Sequence, residues 1–422
     1  MKIYLISLGC PKNLVDSEQL LGLIGQEGFI ITDSMEDADI VIINTCGFIK
    51  DAAKESEENI KEVIKKNKKF IIWGCLVQKE KEKLLRFRNL KGIVGVGDPK
   101  QVLKVIKEEN EKIVNIRENC FTNIEEFPRL ITTFPYAYIK ISDGCNNFCS
   151  YCLIPKLRGR LRSRKIKDIL KEAEQIEKLG FKEIIIIAQD TTNYGKDLND
   201  GSNLINLLGN LEKFDFEWIR IMYMHPGHIN EELIEKIGSS KKICKYFDIP
   251  MQHISPEILK KMNRPVIDCK KLIEEIRKKI PSAVIRTNFI VGFPGETERD
   301  FKQLLEFLEQ VKIDRVGFFK YSREKGTVAY NFKDQISERE KEKRLLVLVE
   351  KQKDISKKNL KKYIGKTLKV LIEKKDKEFF VGRTEYDAPE IDGLVYVKGK
   401  DFKIGDFYNL KIKKADYYDL YA

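Results

Sequence analysis

Asp143-Gly144-Cys145-Asn146-Asn147-Phe148-Cys149-Ser150-Tyr151-Cys152 holds three cysteines, spaced four and then three residues apart. The run follows an apolar, strand-like segment at 136–141 and precedes a proline-containing loop. A loop of this kind can wrap one metal centre. Three thiolates cannot saturate a cubane iron–sulfur cluster, because each of its four irons takes its own outer ligand. One iron would stay open, and an open position separates a catalytic metal site from a structural one. The competing reading is a zinc knuckle or a set of unlinked core thiols. Zinc asks for a fourth Cys or His close by, and the nearest His in sequence is His225.

Outward from this loop, residues 134–360 alternate strand-like and helix-like patterns. YAYIKIS, KEIIIIAQD, FEWIRIMYM, YFDIPMQH, AVIRTNFIVG and RVGFFKYS read as six strands, with helical patterns such as 167–179, 230–237, 268–279 and 298–311 between them. Sustained βα alternation with right-handed crossovers gives a parallel barrel or open sheet, and six units fall short of the eight that close a TIM barrel. The expectation is an α/β fold with an incomplete (β/α)6 barrel, its lateral opening suited to a macromolecular substrate.

Polar residues at the strand ends of such a barrel face the active-site mouth, and glycines there let backbone approach a ligand. AQDTTNYG, IPMQHIS and TNFIVGFPGET occupy those positions. Gln189, Asp190, Gln252, Asn288 and Gly292 are the expected cofactor contacts. The Gly-Phe-Pro-Gly stretch lacks the pattern of a phosphate loop. PKLRGRLRSRKIKD carries Lys156, Arg158, Arg160, Arg162, Arg164 and Lys165 at a helix start, where cations oppose the dipole; an anion contact and a solvated basic face are the two readings. In MHPGH the proline between His225 and His228 favours a bend over a metal pair.

Residues 1–116 form a second block. KIYLISLGC, ADIVIINTC and KKFIIWGC are apolar runs ending in Cys10, Cys46 and Cys75, each followed by a polar amphipathic segment. Such βα units imply a parallel sheet with its site beyond the carboxyl ends of the strands, where the three cysteines would converge. Three thiolates again point to a cubane cluster with one open iron. Residues 117–133 read as linker, with Cys120 a bystander; Cys244 and Cys269 read as core or surface thiols. A highly charged helical stretch leads out of the barrel. Residues 361–422 are then β-rich with frequent glycine turns, as in a small all-β barrel of the OB-like kind. One connection there crowds Glu385, Asp387, Glu390 and Asp392, acids that would repel phosphate and attract a basic protein substrate.

Composition sets the outer bounds. A chain of 422 residues holds two to four domains, and 42% hydrophobic with 34% charged residues is ordinary for a soluble globular protein. No apolar run is long enough to span a bilayer and the first residues enter a strand pattern at once, so a cytoplasmic protein without a membrane partner is expected. Nine cysteines then read as reduced thiols or ligands, not a disulfide framework. The net charge of +13 favours an anionic partner such as RNA or the ribosome, without identifying one.

Five stretches, SLGCPKNLVDSE, NTCGFI, SDGCNNFCSYC, IPMQHIS and GRTEYDAPEIDG, carry a resemblance. Over nearly the full length the chain resembles the methylthiotransferase family of radical S-adenosylmethionine (SAM) enzymes: an N-terminal methylthiotransferase domain, a radical SAM core and a C-terminal TRAM domain. Pro11-Lys12 is similar to the protein-modifying branch, since the tRNA-modifying branch usually reads closer to GCQMN there. The resemblance implies that Cys145, Cys149 and Cys152 hold a [4Fe-4S] cluster that reduces SAM to methionine and a 5′-deoxyadenosyl radical. That radical would abstract hydrogen from the β-carbon of an aspartate in the twelfth small-subunit ribosomal protein, taken free or on the ribosome. Cys10, Cys46 and Cys75 would hold a second [4Fe-4S] cluster carrying the sulfur, and a second SAM would supply the methyl group. An unactivated C–H bond offers no acidic proton, so a cofactor radical has to do the cleavage. An electron donor and a sulfur donor are implied but not identified. Two other readings remain: a tRNA adenosine methylthiotransferase of the same family, and an iron–sulfur electron carrier without SAM chemistry.

Overall fold

A computed structural model of the chain describes residues 1–110, 112–116, 128–399 and 401–422. Cys120 lies outside the described residues. The N-terminal part runs β1 (Lys2–Ser7), α1 (Pro11–Gln26), β2 (Ile30–Ile31), β3 (Ile40–Thr45), α2 (Lys50–Lys65), β4 (Lys69–Gly74), α3 (Cys75–Leu84), β5 (Leu90–Val94), α4 (Pro99–Lys107) and β6 (Ile113–Asn115). Its six strands are all parallel, in the order β2-β1-β3-β4-β5-β6. Every residue of β3 is buried, which is why IVIINT carries no alternation: a parallel sheet is covered on both faces. α1 is apolar on one side and buries Lys12, Asn13, Asp16 and Glu18 on the other, because it is wedged between this sheet and the next domain.

The core begins with β7 (Tyr136–Lys140). A short hairpin, β8 (Ser142–Asp143) with β9 (Arg162–Ser163), clasps the three-cysteine loop, which includes α5 (Ile154–Leu157). There follow α6 (Ile166–Lys178), β10 (Glu183–Ile187), α7 (Leu204–Leu211), β11 (Trp218–Ile221), α8 (Glu231–Ser239) and β12 (Tyr246–Asp248). Then come α9 (Pro256–Lys261), α10 (Cys269–Lys279), β13 (Val284–Val291), α11 (Glu298–Val311) and β14 (Arg315–Lys320). β7, β10 and β11 pair in parallel, as do β12, β13 and β14; a bridge from Ile219 to Ile243 connects the two sets. The result is the six-stranded incomplete barrel expected, with its main apolar core between strands and outer helices.

α12 (Glu338–Leu360) leads to β15 (Thr367–Asp376), β16 (Phe379–Thr384), β17 (Val395–Lys398), β18 (Phe407–Lys411), β19 (Lys414–Ala415) and β20 (Leu420–Tyr421). They make one curled sheet, β18-β15-β16-β17-β20-β19, antiparallel except where β17 meets β20. It is a half-barrel whose loop after β16 reaches into the core domain. Among the described residues no helix is long and apolar enough to cross a membrane.

Only part of the acidic loop is the free surface expected for a basic partner: Glu390 is exposed and Glu385 half-buried. Asp387 and Asp392 are buried, their side chains 4% and 2% exposed. Arg315 Nη2 donates to Asp387 at 2.5 Å and Tyr246 OH to Asp392 at 2.5 Å. Glu385 accepts from Lys245 N at 3.3 Å, and Glu390 from Tyr136 OH at 3.2 Å. Tyr136, Tyr246 and Arg315 are each the first residue of a barrel strand. The loop therefore plugs the amino ends of the barrel strands, and its charge answers the barrel's own arginines.

Candidate metal centre

Cys10, Cys46 and Cys75 each sit just beyond the carboxyl end of a strand. Cys10 follows β1 and caps α1, Cys46 follows β3, and Cys75 opens α3 directly after β4. The neighbouring glycines show how tightly these turns converge. Gly9, at φ +90°, has room for no Cβ, which would meet Cys46 Cβ at 2.7 Å; a Cβ on Gly47 would lie 2.8 Å from Leu76 Cα. The Cys10 and Cys46 turns thus touch, and so do those of Cys46 and Cys75. Facing them is the β8–β9 loop. All six of Cys10, Cys46, Cys75, Cys145, Cys149 and Cys152 line one cavity of about 330 Å³.

The electrostatics differ from thiol to thiol. Burial pushes Cys75 up to about 12 and Cys145 to about 11, and raises Cys46 and Cys152 as well. Cys10 moves the other way: burial is outweighed by the charges of Lys12 and Arg158 and by backbone N–H groups, so its thiolate is favoured. Thiols held neutral by burial ionise when a metal binds them, and binding releases the protons. Each side of the cavity, which His225 also lines, carries three thiols, the number that leaves one iron of a cubane open.

Arg158 ties the two halves together. It is 2% exposed and donates to Asp143 at 2.9 Å, to Asn13 Oδ1 at 2.6 Å and to Asp16 at 3.2 Å. Lys140 bonds to the same Asp16. The basic run after the loop therefore meets carboxylates of this chain: Arg158 meets Asp143, and Arg164 meets Glu172. A sequence shows closely spaced cations; it does not show which of them fold inward.

Of the expected cofactor contacts, Gln189, Gln252 and Asn288 line the cavity. Gln189 Nε2 holds Asp143, while Gln189 Oε1 and Asn288 Oδ1 are buried without a partner, acceptors available to a ligand's donors. Asp190 stands behind the wall. Its Oδ2 accepts from Asn147 and Asn193 at 2.8 Å and shares a hydrogen bond with His228 Nδ1 at 3.0 Å, steadying the cysteine loop. His225 stacks on His228 and is pushed down to about 3, chiefly by burial and by Arg264. Asp190, His225 and His228 bring ligand atoms within 4.8 Å of one another, but the carboxylate oxygen is already shared among three donors. Gly292 lies elsewhere, its N–H on Glu296 and its Cα against Lys341.

Lys12, Asn13, Tyr223 and Arg264 also line the cavity and were not singled out as site residues. Lys12 stood in the opening motif; Arg264, whose Nη1 is 3.9 Å from Cys149 Sγ, had no signal beyond being an arginine after a short helix.

Three family profiles match the chain. The Radical SAM superfamily profile matches residues 139–308, the profile described as uncharacterized protein family UPF0004 matches residues 2–95, and the TRAM domain profile matches residues 364–422. The fold is similar to that of the radical S-adenosylmethionine methyltransferase TsrM from Kitasatospora setae, with a TM-score of 0.56 at 14% identity over 75% of this chain and 72% of that one. Fold and thiol-lined cavity together define a radical SAM enzyme. The ribosomal protein uS12 methylthiotransferase RimO of Clostridioides difficile (strain 630) is 46% identical over 100% of this chain and 98% of its own. That of Thermotoga maritima is 42% identical over 100% and 99%. The chain belongs to the RimO family of radical SAM methylthiotransferases, whose membership implies a [4Fe-4S] cluster and SAM.

Proposed function

We propose that this enzyme inserts a methylthio group at the β-carbon of an aspartate in the twelfth small-subunit ribosomal protein, in the cytoplasm, with the protein taken free or on the ribosome. The observation that carries this reading is the meeting of two separate three-thiol sets in one cavity. Cys145, Cys149 and Cys152 would hold the cluster that works on SAM, and Cys10, Cys46 and Cys75 a second [4Fe-4S] cluster. When bound, these groups supply radical hydrogen abstraction, the inserted sulfur and, from a second SAM, the methyl group. The chain's own residues position the parts. Arg158 locks the two loops in register, Gln189 and Asn288 offer acceptors to SAM, and Arg264 sets a positive charge beside Cys149. The substrate rests on the relatives at 42–46% identity that carry that protein in their names.

The test is reconstitution of the full chain with iron and sulfide, followed by SAM, a reductant and either the ribosomal protein or tRNA. A methylthio mass gain on an aspartate is expected; a gain on tRNA alone would overturn the substrate. Cys149→Ala is expected to abolish 5′-deoxyadenosine formation while the iron held by the N-terminal cysteines remains. Persistent 5′-deoxyadenosine would contradict the assignment, and a wild-type protein that binds iron but never cleaves SAM would be an electron carrier instead.

A further inference from the structure

Lys12 is a buried cation with no hydrogen-bonded carboxylate among the described residues. It is 7% exposed and lines the thiol cavity two residues after Cys10. Its Nζ donates to Ala188 O at 3.3 Å and stands 3.7 Å from the centroid of the Tyr223 ring. An ammonium has three N–H donors, of which the carbonyl takes one and the ring face faces another. Among the described residues no carboxylate lies within ion-pair distance of it.

The other cations of the cavity are differently placed. Arg158 is matched by Asp143 and Asp16, and its third partner is Asn13. Arg264 belongs to the opposite wall, beside Cys149, with Nη2 on Pro250 O. Lys12 is thus the cation with a spare donor on the side of Cys10. Cys10 and, farther off, Asp143 act favourably on this charge, but neither takes its remaining donor, and a buried ammonium gains most from an anion that does.

We propose that Lys12 receives the carboxylate of the target aspartate, an inference that rests on the aspartate reading above. The reacting β-carbon is bonded directly to that carboxylate. Anchoring the carboxylate at Lys12 sets the β-carbon in the cavity between the two cysteine sets, at the Cys10 end. It also selects the substrate: an asparagine has the same shape without the charge, and an adenine base brings no anion at all. The methionine carboxylate of SAM has the same chemistry, so the experiment must separate the two sources.

Wild type and Lys12→Met, both reconstituted as full chains, are given the ribosomal protein with either aspartate or asparagine at the position that wild type modifies, located by mass spectrometry. Dissociation constants for both protein forms, and for SAM alone, are measured. Wild type is expected to prefer the aspartate form by at least about 10-fold. In Lys12→Met the preference should fall to near unity with SAM affinity retained, and Lys12→Arg should restore part of it. An unchanged preference in Lys12→Met overturns the inference. So does a selective loss of SAM affinity, which would assign the ammonium to SAM. Iron content and circular dichroism check the fold, and Lys12→Gln replaces Lys12→Met if the thioether disturbs packing. If wild type modifies no aspartate, the functional reading itself has failed and the inference falls with it, an outcome distinct from the other two.

Discussion

Arg158 shows how one side chain does the work of an interface. Its guanidinium is a planar fork, suited to two carboxylates and an amide in one plane in a way an ammonium is not. Asp143 precedes the cysteine loop, and Asn13 and Asp16 belong to α1 of the N-terminal domain. Replacing it removes the guanidinium that both Asp143 and Asp16 share and leaves Lys140 as the cation paired with the two of them. Arg158→Leu is expected to lower stability by about 3–5 kcal/mol, the usual result of removing one partner from a buried ionic network. Thermal unfolding followed by calorimetry measures it. Arg158→Lys should recover only part, because a single ammonium cannot span the three acceptors.

At the scale of elements, what the sequence made legible was periodicity. β3 and β4 announce themselves by the continuous apolar runs IVII and FIIW, because both faces are covered. The six barrel strands could be read for the same reason, each set off by a helical pattern. β5 and β6 could not. LKGIV is interrupted by Gly92, whose missing Cβ leaves room for Val105 and Ile113, and IVN is three residues long. The cysteines could be placed because strand ends are a topological position. The internal pairing of the acidic loop is not legible locally, because the partners of Asp387 and Glu390 lie 72 and 254 residues away. The same docking makes a pH prediction. Glu183 opens β10, fully buried, between Arg220 and Arg383, the latter from β16. Burial alone would raise its pKa, but Arg383 and Arg220 outweigh that and the net shift is downward. A carboxylate depressed in the folded state stabilises above its ordinary value of 4.5 and loses that contribution as pH falls through the lower folded value. Asp392 has the opposite sign, since burial raises it. Glu183→Gln should therefore cost about 3 kcal/mol at pH 7, and the gap to wild type should narrow as the pH drops below about 4. Melting temperatures of the two proteins across that range decide it.

For the whole molecule, three domains share one barrel. The N-terminal sheet closes over the carboxyl ends of the strands and the TRAM half-barrel over the amino ends, so both mouths are covered while the reaction cavity is built entirely at the first. The upper interface holds more than Arg158: Arg129 pairs with the wholly buried Glu18, and Lys79 meets Glu324 at 2.7 Å with the glutamate side chain 4% exposed. Buried pairs of this kind are little screened by salt. Burial, by contrast, raises Cys46, Cys75, Cys145 and Cys152 and keeps these thiols neutral until metal binds, so in iron-free protein they add little cohesion. Ligands that bind only the folded state stabilise it by mass action. Stripping iron from the reconstituted protein is thus expected to lower the melting temperature by about 5 °C or more. It should leave the N-terminal domain and core unfolding in a single calorimetric transition, because the joint between them is made of side chains and not of metal. Two separated transitions in the iron-free protein, merging once iron is restored, would mean that metal is what welds the domains, and that Arg158 and Glu18 merely line the seam.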